Sequence, residues 1–155
     1  MTSATALRDG NRPLTSLQYL LDTNVLSEPV KPNPNPHVMR RLQDSRELIA
    51  TAAPVWNELL YGVRRMADSK RKNELLHYLE NVLFPSVPIL PYDQKAAGWH
   101  ANERARLDSE GRRPSFVDGQ IAAISYAYGL TLVTANVRDF EAFKDIAVEN
   151  WAEKA

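Results

Sequence analysis

No cysteine occurs among the 155 residues. That absence excludes disulfide frameworks, thiolate zinc sites and cysteine nucleophiles together, and leaves oxygen atoms and three histidines as the ordinary ligands for a metal. A surplus of one charge is missing too: 19 Lys and Arg stand against 19 Asp and Glu. A protein whose whole surface acts as a cation toward nucleic acid or anionic lipid is thereby excluded, while a local basic patch remains compatible. No apolar run approaches the roughly 18–20 residues that a membrane span needs. The opening stretch MTSATALRDGNRP also lacks the apolar segment of a signal peptide. The expectation is a cytoplasmic protein with no membrane partner. What is present is an ordinary globular composition, 44% apolar and 25% charged, at a length typical of one domain.

Residues 1–16 are polar and aperiodic, and are expected to form a flexible leader outside a single domain spanning 17–155. Leu17, Tyr19, Leu20 and Leu21 predict a buried strand ending at Asp22-Thr23-Asn24. Four prolines make 29–36 a loop, and a helix is expected from Pro36 to about Ser45. A second strand is expected over 48–51. Val55, Leu59, Val63 and Met66 predict a helix over 54–67, with Pro54 in its first turn. A helix over 75–83 is expected to stop before Pro85, followed by a minimal strand at Ile89-Leu90 and a helix over 94–107. Ser115 is a good N-cap for a helix that Gly129 ends. Residues 130–134 and 146–148 complete the strands. Strands alternating with helices predict an α/β/α sandwich on a mainly parallel central sheet.

In such sheets ligands bind outside the carboxyl ends of the strands. Three acids fall there: Asp22 after the first strand, Glu58 early in the 54–67 helix, and Asp118 in the first turn of the 115–128 helix. Asn136 follows the 130–134 strand by two residues. Each has a structural explanation as well, since Asp22 is a common capping type, Ser115 and Asp118 have capping-box spacing, and acids near a helix start favour its dipole. Capping does not account for their common address. Carboxylates gathered about 4–6 Å apart repel by roughly 3–4 kcal/mol per pair at an effective dielectric near 20, which a divalent cation relieves. All-oxygen ligation points to Mg²⁺ or Mn²⁺ rather than zinc.

Four stretches, in order, resemble the PIN-domain nucleases and among them the toxins of VapBC toxin–antitoxin pairs. They are Leu20-Leu21-Asp22-Thr23-Asn24-Val25-Leu26-Ser27-Glu28, Asn57-Glu58-Leu59-Leu60-Tyr61-Gly62, Phe116-Val117-Asp118-Gly119-Gln120-Ile121-Ala122-Ala123, and Leu132-Val133-Thr134-Ala135-Asn136-Val137-Arg138-Asp139-Phe140. The resemblance implies a metal-dependent endoribonuclease, the toxin of a type II pair, that hydrolyses RNA phosphodiesters with metal-activated water and leaves 5′-phosphate and 3′-hydroxyl ends. It implies a catalytic set of Asp22, Glu58, Asp118 and Asn136, with Mg²⁺ (or Mn²⁺) held by Asp22, Glu58 and Asp118. Asn136 departs from the family's usual fourth acid and adds no charge. Asp139, Thr23 and Asn24 are accessory candidates. The resemblance further implies a cognate antitoxin, a homodimer, and a higher assembly with the antitoxin. A catalytically weak domain kept for protein binding is the alternative reading.

An RNA substrate needs cations near its phosphates. Arg112 and Arg113 precede the Asp118 helix and Arg138 follows Asn136, which makes them the RNA-binding candidates; Arg64, Arg65, Lys70, Arg71 and Lys72 form a second basic cluster. His37, His77 and His100 share no motif, which disfavours metal-free cleavage by paired imidazoles. Trp56, Tyr61 and Trp99 are candidates for an apolar docking surface.

Overall fold

The structure, a computed structural model, describes residues 14–153. Five parallel strands form one sheet: β1 (Tyr19–Leu21), β2 (Ile49–Ala52), β3 (Ile89–Leu90), β4 (Thr131–Val133) and β5 (Val148–Glu149), in the spatial order β3-β2-β1-β4-β5. Helices flank it, giving the predicted α/β/α sandwich: α1 (Thr23–Leu26), α2 (Pro36–Asp44), α3 (Ala53–Arg64), α4 (Lys70–His77), α5 (Phe84–Ser86), α6 (Gln94–Ser109) and α7 (Phe116–Tyr128). The leader expected over 1–16 lies outside the described residues as far as Pro13. Leu14–Ser16 form a 3₁₀ turn whose Leu14 packs on the core.

Short strands suffice because the sheet is covered. Leu20, Leu21, Ala50, Ala52, Leu132 and Val133 are completely buried, as expected of apolar runs in a parallel sheet with both faces occupied. Facing them are Val55, Ile121, Ala122 and Ile124 from the helices. The 54–67 helix is found as α3, ending a turn early at Arg64. Between α4 and β3 the chain departs from expectation. Ser69 caps a helix that starts at Lys70, and the backbone then runs through a π turn (Tyr78–Leu83) into α5, which contains Pro85. Proline stands there in the first turn of a new short helix, where its missing N–H costs nothing.

The order of strands creates the site. From β1 the chain builds β2 and β3 on one side, then returns to place β4 and β5 on the other. The carboxyl ends of β1 and β4 therefore flank the topological switch point, where neighbouring connections diverge and leave a crevice. Asp22 and Thr134 are the residues that leave the sheet there.

Candidate active site

Asp22 begins the site because the ladder delivers it there. Its N–H continues the β1–β4 pairing by donating to the Val133 carbonyl at 3.0 Å. Its carboxylate caps α1, one oxygen accepting from Thr23 N–H at 2.8 Å, while the other accepts from the Thr134 hydroxyl at 2.9 Å. Only 7% of Asp22 is exposed. A carboxylate offers about four lone-pair sites, so these two bonds orient it without exhausting it.

Thr134 joins the two stretches that had pointed to the site separately. Its fully buried hydroxyl donates to Asp22 and accepts from the Asn136 N–H at 3.0 Å and the Asn24 amide at 3.3 Å. Asn24 closes the circuit by accepting from the Ala135 N–H at 2.9 Å. The Asp22-Thr23-Asn24 turn and the Thr134-Ala135-Asn136 turn are thus one hydrogen-bonded unit. Sequence reasoning missed Thr134; its signal was a hydroxyl residue directly at the end of β4, aligned with Asp22 at the end of β1.

Asp118 approaches from α7, whose first turn is set by Ser115 accepting from the Asp118 N–H at 3.0 Å. Burial pushes the Asp118 carboxyl above its ordinary value, the Ser115 hydroxyl opposes that shift, and the negative charges of Asp139 and Asp22 raise it further. Asp139 stands in the 3₁₀ turn Val137–Phe140, its N–H bonded to the Asn136 carbonyl at 3.0 Å. The segment that follows the turn is fastened to α6. Glu103 accepts a forked pair from Arg106 at 2.9 and 2.8 Å and the Lys144 N–H at 2.9 Å, and Arg106 also donates to the Ala142 carbonyl.

The structure therefore brings Asp22, Asp118 and Asp139 within electrostatic reach of one another, with Asn136 exposed beside them. Glu58 is exposed in the second turn of α3. Among the described residues, no three carboxylate or imidazole side chains converge as a ready-made metal cage. No ion pair among the described residues offsets Asp22, Asp118 or Asp139. Carboxylates that form no ion pair, with oxygen-only donors around them, fit a hard divalent cation.

All three RNA-binding candidates line the same opening. Arg112, Arg113 and Arg138 surround a cleft of ≈ 440 Å³ with Pro114, Ser115, Asp118, Asp139 and Ala142. The arginine loop leaves α6 through Gly111, whose φ of 73° suits glycine, and the Arg112 N–H bonds back to the Leu107 carbonyl at 2.9 Å. Its cations are loosely held: Arg113 lies 3.3 Å from Asp108 and Arg112 3.9 Å from Glu110, all four exposed.

Four of the five cations in the second basic cluster have partners elsewhere. Arg64 pairs with Glu80 at 3.1 Å, Arg65 lies over the Tyr61 ring, Arg71 donates to the Val30 carbonyl, and Lys72 donates to the Met66 carbonyl at 3.0 Å. Of the docking candidates, Tyr61 is exposed, Trp56 packs on Phe84, and Trp99 stacks on Tyr126 at 5.0 Å. His37 and His77 are exposed on α2 and α4. His100 is buried in α6, bonded to the Tyr92 hydroxyl at 2.8 Å, its proton affinity lowered by burial and by Arg104.

An α/β/α sandwich with acids at its switch point defines a class of nuclease-like domain, and comparison with known proteins places it. Residues 19–147 match the PIN domain family, and the chain belongs to that family. It is 37% identical over 134 residues to toxin FitB of Neisseria gonorrhoeae, covering 84% of this chain and 96% of FitB. It is 31% identical over 135 residues to ribonuclease VapC2 of Haemophilus influenzae, covering 87% and 98% of the two chains. The crystal structure of FitAcB from Neisseria gonorrhoeae superposes with a TM-score of 0.79 at 36% identity, over 86% of this chain and 98% of that one. With these relatives the protein falls among the VapC-type ribonuclease toxins of the PIN family.

Proposed function

We propose that this endoribonuclease works with Mg²⁺, or Mn²⁺ in its place, held by Asp22, Asp118 and Glu58, and that Asn136 and Asp139 orient water at its edge. The observation that carries this reading is the meeting of Asp118 and Asp139 in one cleft, with Asp22 near enough for its charge to act on Asp118 and no ion pair formed by any of the three among the described residues. Bound there, a divalent ion supplies charge neutralisation and lowers the pKa of a coordinated water, the ordinary requirements for in-line attack on a phosphodiester.

The chain's own groups do the rest. Thr134 and the Thr23 N–H keep Asp22 in one orientation, with a free lone pair on each oxygen. Ser115 fixes the first turn of α7 and with it the position of Asp118. Arg112, Arg113 and Arg138 provide the phosphate contacts, their fixed forks matching phosphate oxygens better than lysine would. Glu58 is exposed and hydrogen-bonded to none of the other site acids, so its long side chain is able to turn toward the cleft.

As the toxin of a type II pair, the protein is proposed to act in the cytoplasm, to form a homodimer, and to be held inactive by a cognate antitoxin. Support comes from its likeness to toxin FitB and to the FitAcB structure. Cleavage of RNA in Mg²⁺, its loss in EDTA, and its loss in Asp22→Asn and Asp118→Asn test the catalytic reading. Undiminished cleavage in EDTA would overturn it. Tight binding of an antitoxin by a wild-type protein that cleaves no RNA would favour a protein-binding role instead.

A further inference from the structure

Behind the arginine loop lies a second cavity that the catalytic reading does not use. It has a volume of ≈ 280 Å³, and its lining includes His100, Arg104, Asp108, Arg112, Arg113 and Phe116. We propose that this cavity is a nucleobase subsite, taking one unpaired base of single-stranded RNA next to the phosphate held in the acidic cleft. The proposal rests on the RNA-cleaving reading above and names how the substrate is engaged.

Position comes first. Arg112, Arg113, Pro114 and Ser115 line both the cavity and the cleft that contains Asp118 and Asp139, so the two are separated by one wall. A strand whose phosphate lies among the arginines of the cleft carries its neighbouring base across that wall. Chemistry comes second. Phe116 is 50% exposed, and the Arg104 guanidinium lies 4.9 Å from its ring centroid. Unpaired bases are held by stacking on such aromatic rings and on arginine planes. Arg104 has no acidic partner among the described residues, so its charge remains available.

Charge and size favour a nucleotide over a peptide segment. Three arginines face the cavity against the single acid Asp108, which Arg113 already engages at 3.3 Å. The volume lies just below the roughly 300–1,000 Å³ of pockets for whole drug-sized ligands, and so suits one flat heterocycle.

Rigidity comes third. The His100 ring lies 4.8 Å from the Phe116 ring, with its Nδ1 bonded to the Tyr92 hydroxyl. A methyl group placed on Gly119 would fall 2.1 Å from His100 Nε2, so only glycine lets α6 and α7 meet here. Phe116 and Asp118, two residues apart on α7, are therefore braced against α6 by the same contact.

The test is a binding cycle, read separately from cleavage. Full-length Asp22→Asn protein, which leaves RNA intact, is titrated with labelled short single-stranded oligoribonucleotides from which one base at a time has been removed. Base removal at one position is expected to weaken binding by about 10- to 100-fold. Phe116→Ala should weaken the intact oligonucleotide by a similar factor and add nothing for that abasic one, and Arg104→Gln should follow with a smaller loss. If Phe116→Ala lowers the melting temperature, Phe116→Leu, which keeps the apolar bulk without the ring, takes its place under the same criterion. Equal losses for intact and abasic oligonucleotides, or no loss at all, overturn the proposal. So does weakened antitoxin binding with RNA affinity unchanged, which would assign the cavity to protein. Failure of the wild type to cleave RNA in Mg²⁺ or Mn²⁺ defeats the catalytic reading alone, and the binding cycle still decides the cavity.

Discussion

Two basic regions of this chain look alike in sequence and differ in what their cations do. At the α3–α4 corner Arg64, Arg65, Arg71 and Lys72 are spent on Glu80, the Tyr61 ring and two backbone carbonyls, so they fasten one helix to its surroundings. At the Arg112–Arg113 loop the only partners among the described residues are exposed acids at 3.9 and 3.3 Å, and the carboxylates Asp118 and Asp139 lie in the same cleft as the two arginines. A cation is available to a substrate when its present partner is weak and solvated, and unavailable when a carbonyl or a neighbouring acid already satisfies it. Proximity in sequence says nothing about which case applies.

The largest break in this comparison should come from the acids. Asp22→Asn or Asp118→Asn is expected to lower RNA cleavage by about 10²–10⁴-fold, measured as kcat/KM with unchanged circular dichroism. Asp118 also carries a stability signature. Its carboxyl is raised in the folded state, so the native protein binds more protons than the unfolded chain between the ordinary carboxyl value and the raised one. Stability contributed by this group therefore falls as pH rises through that window. Above it, Asp118→Asn should melt at a higher temperature than the wild type in EDTA, and should lose the upward shift that Mn²⁺ gives the wild type. A lower melting temperature in EDTA would contradict the repulsion.

Next is Thr134→Val, which leaves Asp22, Asn24 and the Asn136 N–H without a common partner. Loss of a group that orients a ligand should cost roughly 10–100-fold in activity, and the unpaired buried groups about 1–3 kcal/mol in a urea titration. Gly119→Ala should follow, destabilising by about 1–3 kcal/mol as the methyl displaces His100. Activity should fall with it, because the contact braces the turn that carries Asp118.

Smaller still is the joint change of Arg112 and Arg113 to Gln, expected to raise KM by about 10-fold and to flatten the salt dependence of RNA binding by about one unit of slope per phosphate contact. The corner supplies the smallest effect and sharpens the contrast. Arg64→Gln should alter stability by at most ~1 kcal/mol, as surface pairs do, and leave cleavage unchanged. A KM effect there as large as that of the loop would erase the distinction between the two regions.

Much of this was legible before folding. Short apolar runs, the alternation in 130–134 and the 3.6-residue period located the strands and the main helices to within a few residues, because most of these strands are buried and the helices present an apolar face to them. The addresses of Asp22, Asp118 and Asn136 followed, since they directly adjoin those elements. Asp139 was harder to weigh. It stands three residues past Asn136, in the 3₁₀ turn Val137–Phe140, and only the folded chain brings its charge to bear on Asp118. Glu58 reads in sequence as a partner of Asp22 and Asp118 at the border of core and solvent, and in the structure it stands exposed in the second turn of α3.

The amino-acid sequence by itself determined the fold class, the strand ends that carry acids, the absence of thiol chemistry and the loop that carries Arg112 and Arg113. Those are properties of local pattern and residue type. Only the tertiary structure decided which basic run is free, that Thr134 binds the two turns into one unit, that Gly119 is the point where α6 meets α7, and that a cavity with Arg104 and Phe116 adjoins the acids. Each of these depends on residues from different elements meeting at hydrogen-bonding or van der Waals distance, a relation set by packing across the sheet and carried by no single stretch of chain.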